Sequence, residues 1–407
     1  MGLGPSEDLE YATQPISFIG ANLDAFSRLR VSNPETIFDA IFRRDKQPMK
    51  FWESLTSGGT ATHLGDNPSV QIACTTTTGS KAILQSRFYV QYSPAKSNMI
   101  LITGNFNGAA TNVVKRVGYF DLNDGYFFEL SGSTLNVVIR SKVSGSVVDN
   151  PISQQNWNID KLDGTGTSGY TYNLSKQIIW FIDFQWLGSG RVRFGVCIDG
   201  NIIYCHEFYH SNILTVPYCR TAKLPIRCEI TNSVSTASNM NFTCCSVLCE
   251  GDSSWDGIYR TINNDVTPIS FNAVGTTKPI ISIRKSTTYI EEVIQIISTS
   301  LFVGSADDFL VTILKNPTLT GASWTAASGY CEKDISATAI SGGAAIYSTY
   351  VRGAATANSI SELSDLSDSI ITFLGDNVGV SEIITLAAKN ITSTATAYGR
   401  INYLEYI

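Results

Sequence analysis

Histidine is nearly absent from this 407-residue chain, with three copies, and methionine has only four. Charge is scarce too: Asp, Glu, Lys and Arg make up 16% of the residues, against about a quarter in an average soluble domain. The 29 Lys and Arg stand against 35 Asp and Glu, a net charge of −6. The only basic segment, Arg28, Arg30, Arg43, Arg44, Lys46 and Lys50, is sparse. Phosphate neutralisation needs clustered positive charge, so no nucleic-acid partner is expected. Long apolar runs are missing as well. The longest, such as Ile178–Ile182, are strand-sized and far below the roughly 18 residues that argue for a helical membrane span, so no membrane partner is expected. The first fourteen residues have neither the basic start nor the apolar stretch of a secretory signal. Gly2 followed by Ser6 matches the myristoylation pattern, which is read as a chance match because the segment is acidic and interrupted by Pro5.

The nine cysteines are odd in number and irregularly spaced, so no disulfide framework is implied. Cys244, Cys245 and Cys249 lie close together, but a zinc site needs four ligands, usually two CxxC-like pairs. Reduced, partly buried thiols assembled in a reducing cytoplasm account for this usage. There is no P-loop, no nucleotide-binding glycine fingerprint and no GxSxG elbow. Sequons begin at Asn173, Asn241 and Asn390, and would matter only in a secreted protein.

What is abundant is glycine, tyrosine and phenylalanine (32, 18 and 19 copies), with Ser, Thr and Asn throughout, the composition of strands and turns. Residues 51–255 read as short alternating runs, among them SKAILQS, SNMILITGNF, VVKRVGYFDL, GYFFELSG, TLNVVIRSKV, QIIWFIDFQWLG, NIIYCHEFYH and LPIRCEITNS. Asn123-Asp124-Gly125 and Asp199-Gly200-Asn201 read as hairpin turns. In RVRFGVCID, Val192, Phe194, Val196 and Ile198 alternate with Arg193, Gly195 and Cys197, so one strand face is buried. Residues 154–176, rich in Gly, Thr, Asp and Asn, read as a long surface loop. A linker at 251–257 precedes a second β-rich segment over 256–407, in which Asn358–Phe373 reads as a loop in preference to a helical turn. Residues 1–50 read as an extended arm, with a short helix near Pro34–Arg43 capped by Ser32 or Asn33. The expected fold class is all-β: two antiparallel, jelly-roll-like β-sandwiches, the first lectin-like, preceded by an N-terminal arm.

The sharpest chemical motif is His206-Glu207-Phe208-Tyr209-His210, a literal HExxH. Zinc hydrolysis requires it on a helix, where both histidines share a face. Here it closes a predicted strand, where residues four apart lie about 13 Å apart, too far to share one zinc ion. Asp163-Gly164-Thr165-Gly166 resembles an aspartic-protease loop, but no second copy appears, and a turn is the expected structure. No catalytic, cofactor-binding or metal-binding residue is assigned. The 154–176 loop offers Trp157, Asn158, Asp160, Asp163 and Tyr170 for stacking on and hydrogen bonding to a glycan, against the plainer reading in which Trp157 anchors the loop and the carboxylates are solvated.

The sequences AFSRLRVSNPETIFDA, NWNIDKLDGTGTSG, IDFQWLGSGRVRFGVCIDGNIIYCHEF, NPTLTGASW and YGRINYLEYI resemble parts of virion structural proteins of tailed phages and other large double-stranded DNA viruses. The likeness runs over nearly the whole chain and is most distinctive over residues 154–210. It implies a non-enzymatic, capsid- or tail-associated subunit whose central segment is similar to concanavalin- or laminin-G-like sandwiches. It carries no catalytic residues to this chain. The expected partners are copies of the chain itself, as a homo-trimer, and other virion proteins. The arm, through Phe26, Arg28, Arg30, Phe38, Arg43 and Trp52, is expected to join subunits. The expected location is the virion, assembled in the host cytoplasm. The alternative is a receptor-binding tail or spike protein whose central loops contact host-surface glycans.

Overall fold

The period-two alternation of apolar residues is what the computed structural model builds into sheets. It describes residues 23–25, 28–31, 33–251, 257–286, 288–289, 292–304, 307–327, 329–352, 360–363, 376–377 and 380–406. In the first domain an eight-stranded antiparallel sheet runs β13 (Asn201–Phe208), β12 (Val192–Ile198), β11 (Ile178–Phe184), β6 (Asn98–Asn105), β15 (Ser238–Cys249), β4 (Ser69–Cys74) and β3 (Thr60–Leu64), with β1 (Glu35–Ile41) also paired to β15. A seven-stranded sheet runs β10 (Val148–Ser153), β9 (Thr134–Ser141), β8 (Gly125–Ser131), β7 (Val113–Phe120), β14 (Ile226–Asn232), β5 (Lys81–Ser86) and β2 (Phe51–Thr56). One hydrophobic core joins the two, with Ile100, Trp180 and Phe194 from the first sheet and Val117, Tyr126 and Ile226 from the second.

The expected arm is corrected here. Residues 35–41 are a strand of the first sandwich, not a helix and not a free extension. Pro34 suits a helix start, but Phe38, Ala40 and Phe42 are buried at a spacing of two, and that period places one face of an extended chain against the core. Phe42 packs edge-on against Phe51 at 5.0 Å and Phe242 at 4.9 Å, and Phe38 lies 6.0 Å from Phe51. Aromatic burial of this kind stabilises the docked strand by roughly 1.5–3 kcal/mol per ring.

The second domain is also two antiparallel sheets. One comprises β16 (Gly257–Asn263), β30 (Ala395–Tyr406), β19 (Val293–Val303) and β26 (Ile360–Leu363), with β17 (Ile269–Phe271) on β30. The other runs β22 (Thr325–Ala326), β23 (Cys331–Asp334), β18 (Thr277–Lys285), β29 (Ile383–Asn390), β20 (Asp308–Lys315) and β25 (Ala344–Arg352). Two small ribbons, β21 (Thr318–Thr320) with β24 (Ala339–Ser341) and β27 (Asp376–Asn377) with β28 (Val380–Ser381), complete the described strands. Ile281, Ile283, Val311 and Leu386 meet Ile294, Leu301 and Ile401 in its core. Of the segment Asn358–Phe373, residues 360–363 form β26 and the rest lies outside the described residues.

The domains are joined by more than a linker. Val293 and Tyr406 belong to the first domain's core, and Leu404 packs on it. Buried Glu382 takes Arg87 of the first domain at 3.0 Å and Lys315 of its own at 3.1 Å, while Lys223 reaches Glu292 at 3.3 Å. No helix among the described residues is long and apolar enough to cross a membrane.

Candidate functional site

On the eight-stranded sheet, the residues that alternate with the core face outward. Register sets Glu207, Arg193, Asp183 and Met99 side by side across β13, β12, β11 and β6. Asp183 is fully buried, and its carboxylate accepts Arg193 Nε at 2.7 Å, Arg30 Nη2 at 2.5 Å and the Tyr204 hydroxyl at 2.9 Å. Arg30 also pairs with Glu250 at 2.7 Å, and the Arg193 guanidinium lies 4.3 Å from the Tyr204 ring centre. Burial alone would lower the Arg193 pKa, but the charge of Asp183 raises it. A buried carboxylate holding two guanidiniums is a fixed joint, because losing either partner strands a charge away from water.

That joint fastens a strap. Leu23, Asp24 and Ala25 are buried. The Leu23 carbonyl accepts Arg193 Nη2 at 2.9 Å and Arg30 Nε at 3.1 Å, and Arg191 Nε donates to the Ala25 carbonyl at 3.0 Å. Asp24 and Arg28 close the strap on itself: the Arg28 amide donates to Asp24 Oδ1 at 2.9 Å and its Nε to Oδ2 at 2.7 Å. Of the residues expected to reach a neighbouring subunit, Arg28 and Arg30 are therefore bound to their own chain, Phe38 and Trp52 are buried, and Arg28 and Arg43 are exposed. Phe26 lies outside the described residues.

The 154–176 loop is built the same way. Trp157, expected as a stacking platform, is buried in the core, and its Nε1 donates to the Ile152 carbonyl at 3.1 Å. A single 3-10 turn, Gln154–Asn156, turns the chain so that residues 158–160 run beside β13. There the Asn158 side chain imitates a strand partner: Nδ2 donates to the Glu207 carbonyl at 2.9 Å and Oδ1 accepts the Glu207 amide at 3.0 Å. Asp160 is buried and accepts the Leu162 and Ser168 amides, each at 2.8 Å. Burial raises its pKa, but those amides outweigh burial and hold it below the usual range. Gly166 makes this possible, since a Cβ there would lie 2.2 Å from Asp160 Oδ1. Asp163 caps its own turn through the Thr165 hydroxyl and amide at 2.6 and 2.9 Å. Of the five candidates only Tyr170 has an exposed side chain free of a structural anchor, and Trp157 takes the loop-anchoring place of the plainer reading.

The HExxH motif spans the end of β13, where the strand reading placed it. His206 and His210 are both buried, and the Phe208 ring stands between them, with centroids 4.6 and 6.4 Å from theirs. His206 Nδ1 accepts the Asn158 amide at 3.2 Å; His210 stacks on Tyr218 at 4.0 Å and meets the Gly190 carbonyl. Burial pushes the His206 pKa down to about 4. Glu207 faces Arg191 at 3.4 Å. The two imidazoles cannot share an ion in this arrangement. Among the described residues no three His, Cys, Asp or Glu side chains converge as metal ligands. All nine cysteines are free, and burial raises the thiol pKa of most of them, Cys331 to about 12. Asn241 and Asn390 are buried, which makes those two sequons unusable in the folded chain.

A second ionic face is missing from the sequence reading. On the seven-stranded sheet Arg116, Glu129 and Glu229 alternate with core residues Val117, Leu130 and Ile230, so they project from the opposite face. Glu229 takes Arg227 Nε at 3.1 Å, Lys81 at 3.2 Å and Arg116 at 3.4 Å, and Arg116 also meets Glu129 at 2.8 Å. Burial opposes ionisation of Glu229, yet these cations hold its pKa down to about 2. Arg140, pinned to Asp149 at 2.7 Å, lies over the Phe127 ring at 5.1 Å. The legible signal was the same period-two count, applied to the charges between apolar residues.

The geometry defines an all-β protein of two antiparallel, jelly-roll-like sandwiches with tightly engaged outer faces. No family model and no curated protein matches the chain. Among solved structures it is similar to a protein of unknown function from Shewanella oneidensis (10% identity, TM-score 0.34, covering 62% of this chain and 98% of that one). It is also similar to a mixed-linkage-glucan GH16 protein of Bacteroides ovatus in complex with product (10%, TM-score 0.35, 52% and 99%). A legume lectin-like domain of Entamoeba histolytica gives 10% identity and a TM-score of 0.32 over 52% and 96%.

Proposed function

We propose that the chain is a non-enzymatic structural subunit of a virion, a capsid fibre, decoration or tail component that assembles with copies of itself and other virion proteins. One observation carries the reading. Three of the segments that carry the likeness to virion proteins, residues 25–40, 156–169 and 182–208, are tied together by described side chains, Arg30 to Asp183 and Asn158 to Glu207. Residues used in this way hold a shape, because each charge is tied to a partner in its own chain. Neighbour contacts then fall to the outer surfaces of an already fastened sandwich, and not to residues 28–52 as a loose arm. The buried, high-pKa thiols suit assembly in a reducing compartment.

The test is mass spectrometry of purified particles together with electron-microscopy labelling by an antibody against the second domain. Regular labelling over the shell or along the tail supports the reading and locates the subunit. Particles free of the chain overturn it.

A further inference from the structure

We propose that the outer face of the β16–β30–β19 sheet in the second domain binds a neutral pyranose oligosaccharide. The proposal does not depend on the virion reading and moves carbohydrate contact away from the 154–176 loop.

Strand parity decides which side chains are available. On β30, Ala397, Ile401 and Tyr403 face the core, and a Cβ on Gly399 would meet the Ile280 side chain at 2.5 Å. Tyr398 and Arg400 therefore face outward. On β19, Leu301 and Val303 face inward, so Ser300 and Phe302 face outward. Register then sets Phe302 opposite Tyr398, and Ser300 opposite Arg400 opposite Asn263. The two rings are 5.7 Å apart at 48°, both half-buried, and they floor a cavity of about 330 Å³, the lower end of the size range of small-ligand sites.

The rim is polar and rigid. Asn264 is buried; its Oδ1 accepts the Gly399 amide at 3.0 Å and its Nδ2 donates to the Thr267 carbonyl at 2.9 Å. That brace presents Asp265, whose side chain is 68% exposed and 3.7 Å from Lys333. Lys333 reaches Asp265, and Arg400 lines the cavity beside it, so the rim carries both signs and has no strong preference for a charged ligand. An aromatic floor with amide, hydroxyl and carboxylate groups at its edge complements a pyranose, which has an apolar ring face and a hydroxylated edge. Tyr259 lies on the same face, opposite Leu404 and 75% exposed. Leu404 packs on the first domain's core, so the open part of the face lies around Tyr398, Phe302 and Asp265 and suits the end of an oligosaccharide.

The experiment is isothermal titration of the full-length chain with cellotetraose, maltotetraose and chitotetraose, backed by saturation-transfer NMR. One or more should bind. Tyr398→Ala should weaken that binding at least tenfold, and Asp265→Ala should do the same from an exposed position that does not threaten the fold. Tyr170→Ala, in the other domain's loop, should bind as the parent does. No binding by any of the three at millimolar concentration, or binding that survives both Tyr398→Ala and Asp265→Ala, overturns the proposal.

Discussion

Trp157 and Tyr398 are both aromatics with Asn and Asp close by, yet one is locked into the core and the other stands half-open on a sheet. The difference lies in the backbone around them. In the 154–176 loop, many main-chain groups have no ladder partner, and Asn158, Asp160 and Asp163 bond to backbone groups that the ladder leaves unmade. On the outer face of β30 the ladder to β16 and β19 already satisfies the main chain. Asn263 and Asn264 still serve backbone groups there, but the Asp265 carboxylate is left exposed beside Lys333. A loop rich in Asn and Asp is thus a poorer guide to a binding site than a flat sheet face carrying the same residues.

Several substitutions can break that contrast. The largest effect is expected at the fastened face: Asp183→Ala strands Arg193 and Arg30, and should cost about 3–5 kcal/mol, read as a lower urea midpoint. Trp157→Ala should follow, at about 3–5 kcal/mol for an emptied aromatic site. If it instead abolished sugar binding at unchanged stability, the loop would regain its claim as a recognition surface. Asp160→Ala should cost about 1–3 kcal/mol, since it leaves the Ser168 and Leu162 amides without an acceptor. A pH titration sharpens the comparison further. Folded His206 stays neutral down to about pH 4, whereas the unfolded chain takes up that proton near 6.5, so stability falls as pH drops through that window. His206→Gln should flatten that part of the Tm-against-pH curve. Tyr170→Ala should be smallest, within about 0.5 kcal/mol of the parent in a denaturation curve.

Much of the fold is legible from the period-two pattern. The runs holding β5–β9, β11–β14, β18–β20, β29 and β30 are all visible as alternation between turn signals, because each has one buried and one outward face. β15 is not, although it is central, pairing with β1, β4 and β6. Its SNMNFTCCSVLC is polar at many positions, and its cysteines draw the eye to metals, whereas burial between strands is what they serve. β1 is obscured by Pro34, whose local preference yields to the burial of Phe38 and Phe42. Sites are harder to read than strands. Asp183, Arg193 and Arg30 span more than 150 positions and meet only through register, and Asn263 joins Phe302 and Tyr398 by pairing across two ladders. Nothing local in the sequence marks either set.

The position of Tyr406 bears on how the molecule comes apart. It sits on the same strand as the second domain's central core residues and is counted among the first domain's core. Neither sandwich can therefore lose its packing without exposing part of the other's. A scanning calorimeter should record the two domains as one cooperative peak, whose calorimetric and van't Hoff enthalpies agree, even though the chain folds into two separate pairs of sheets.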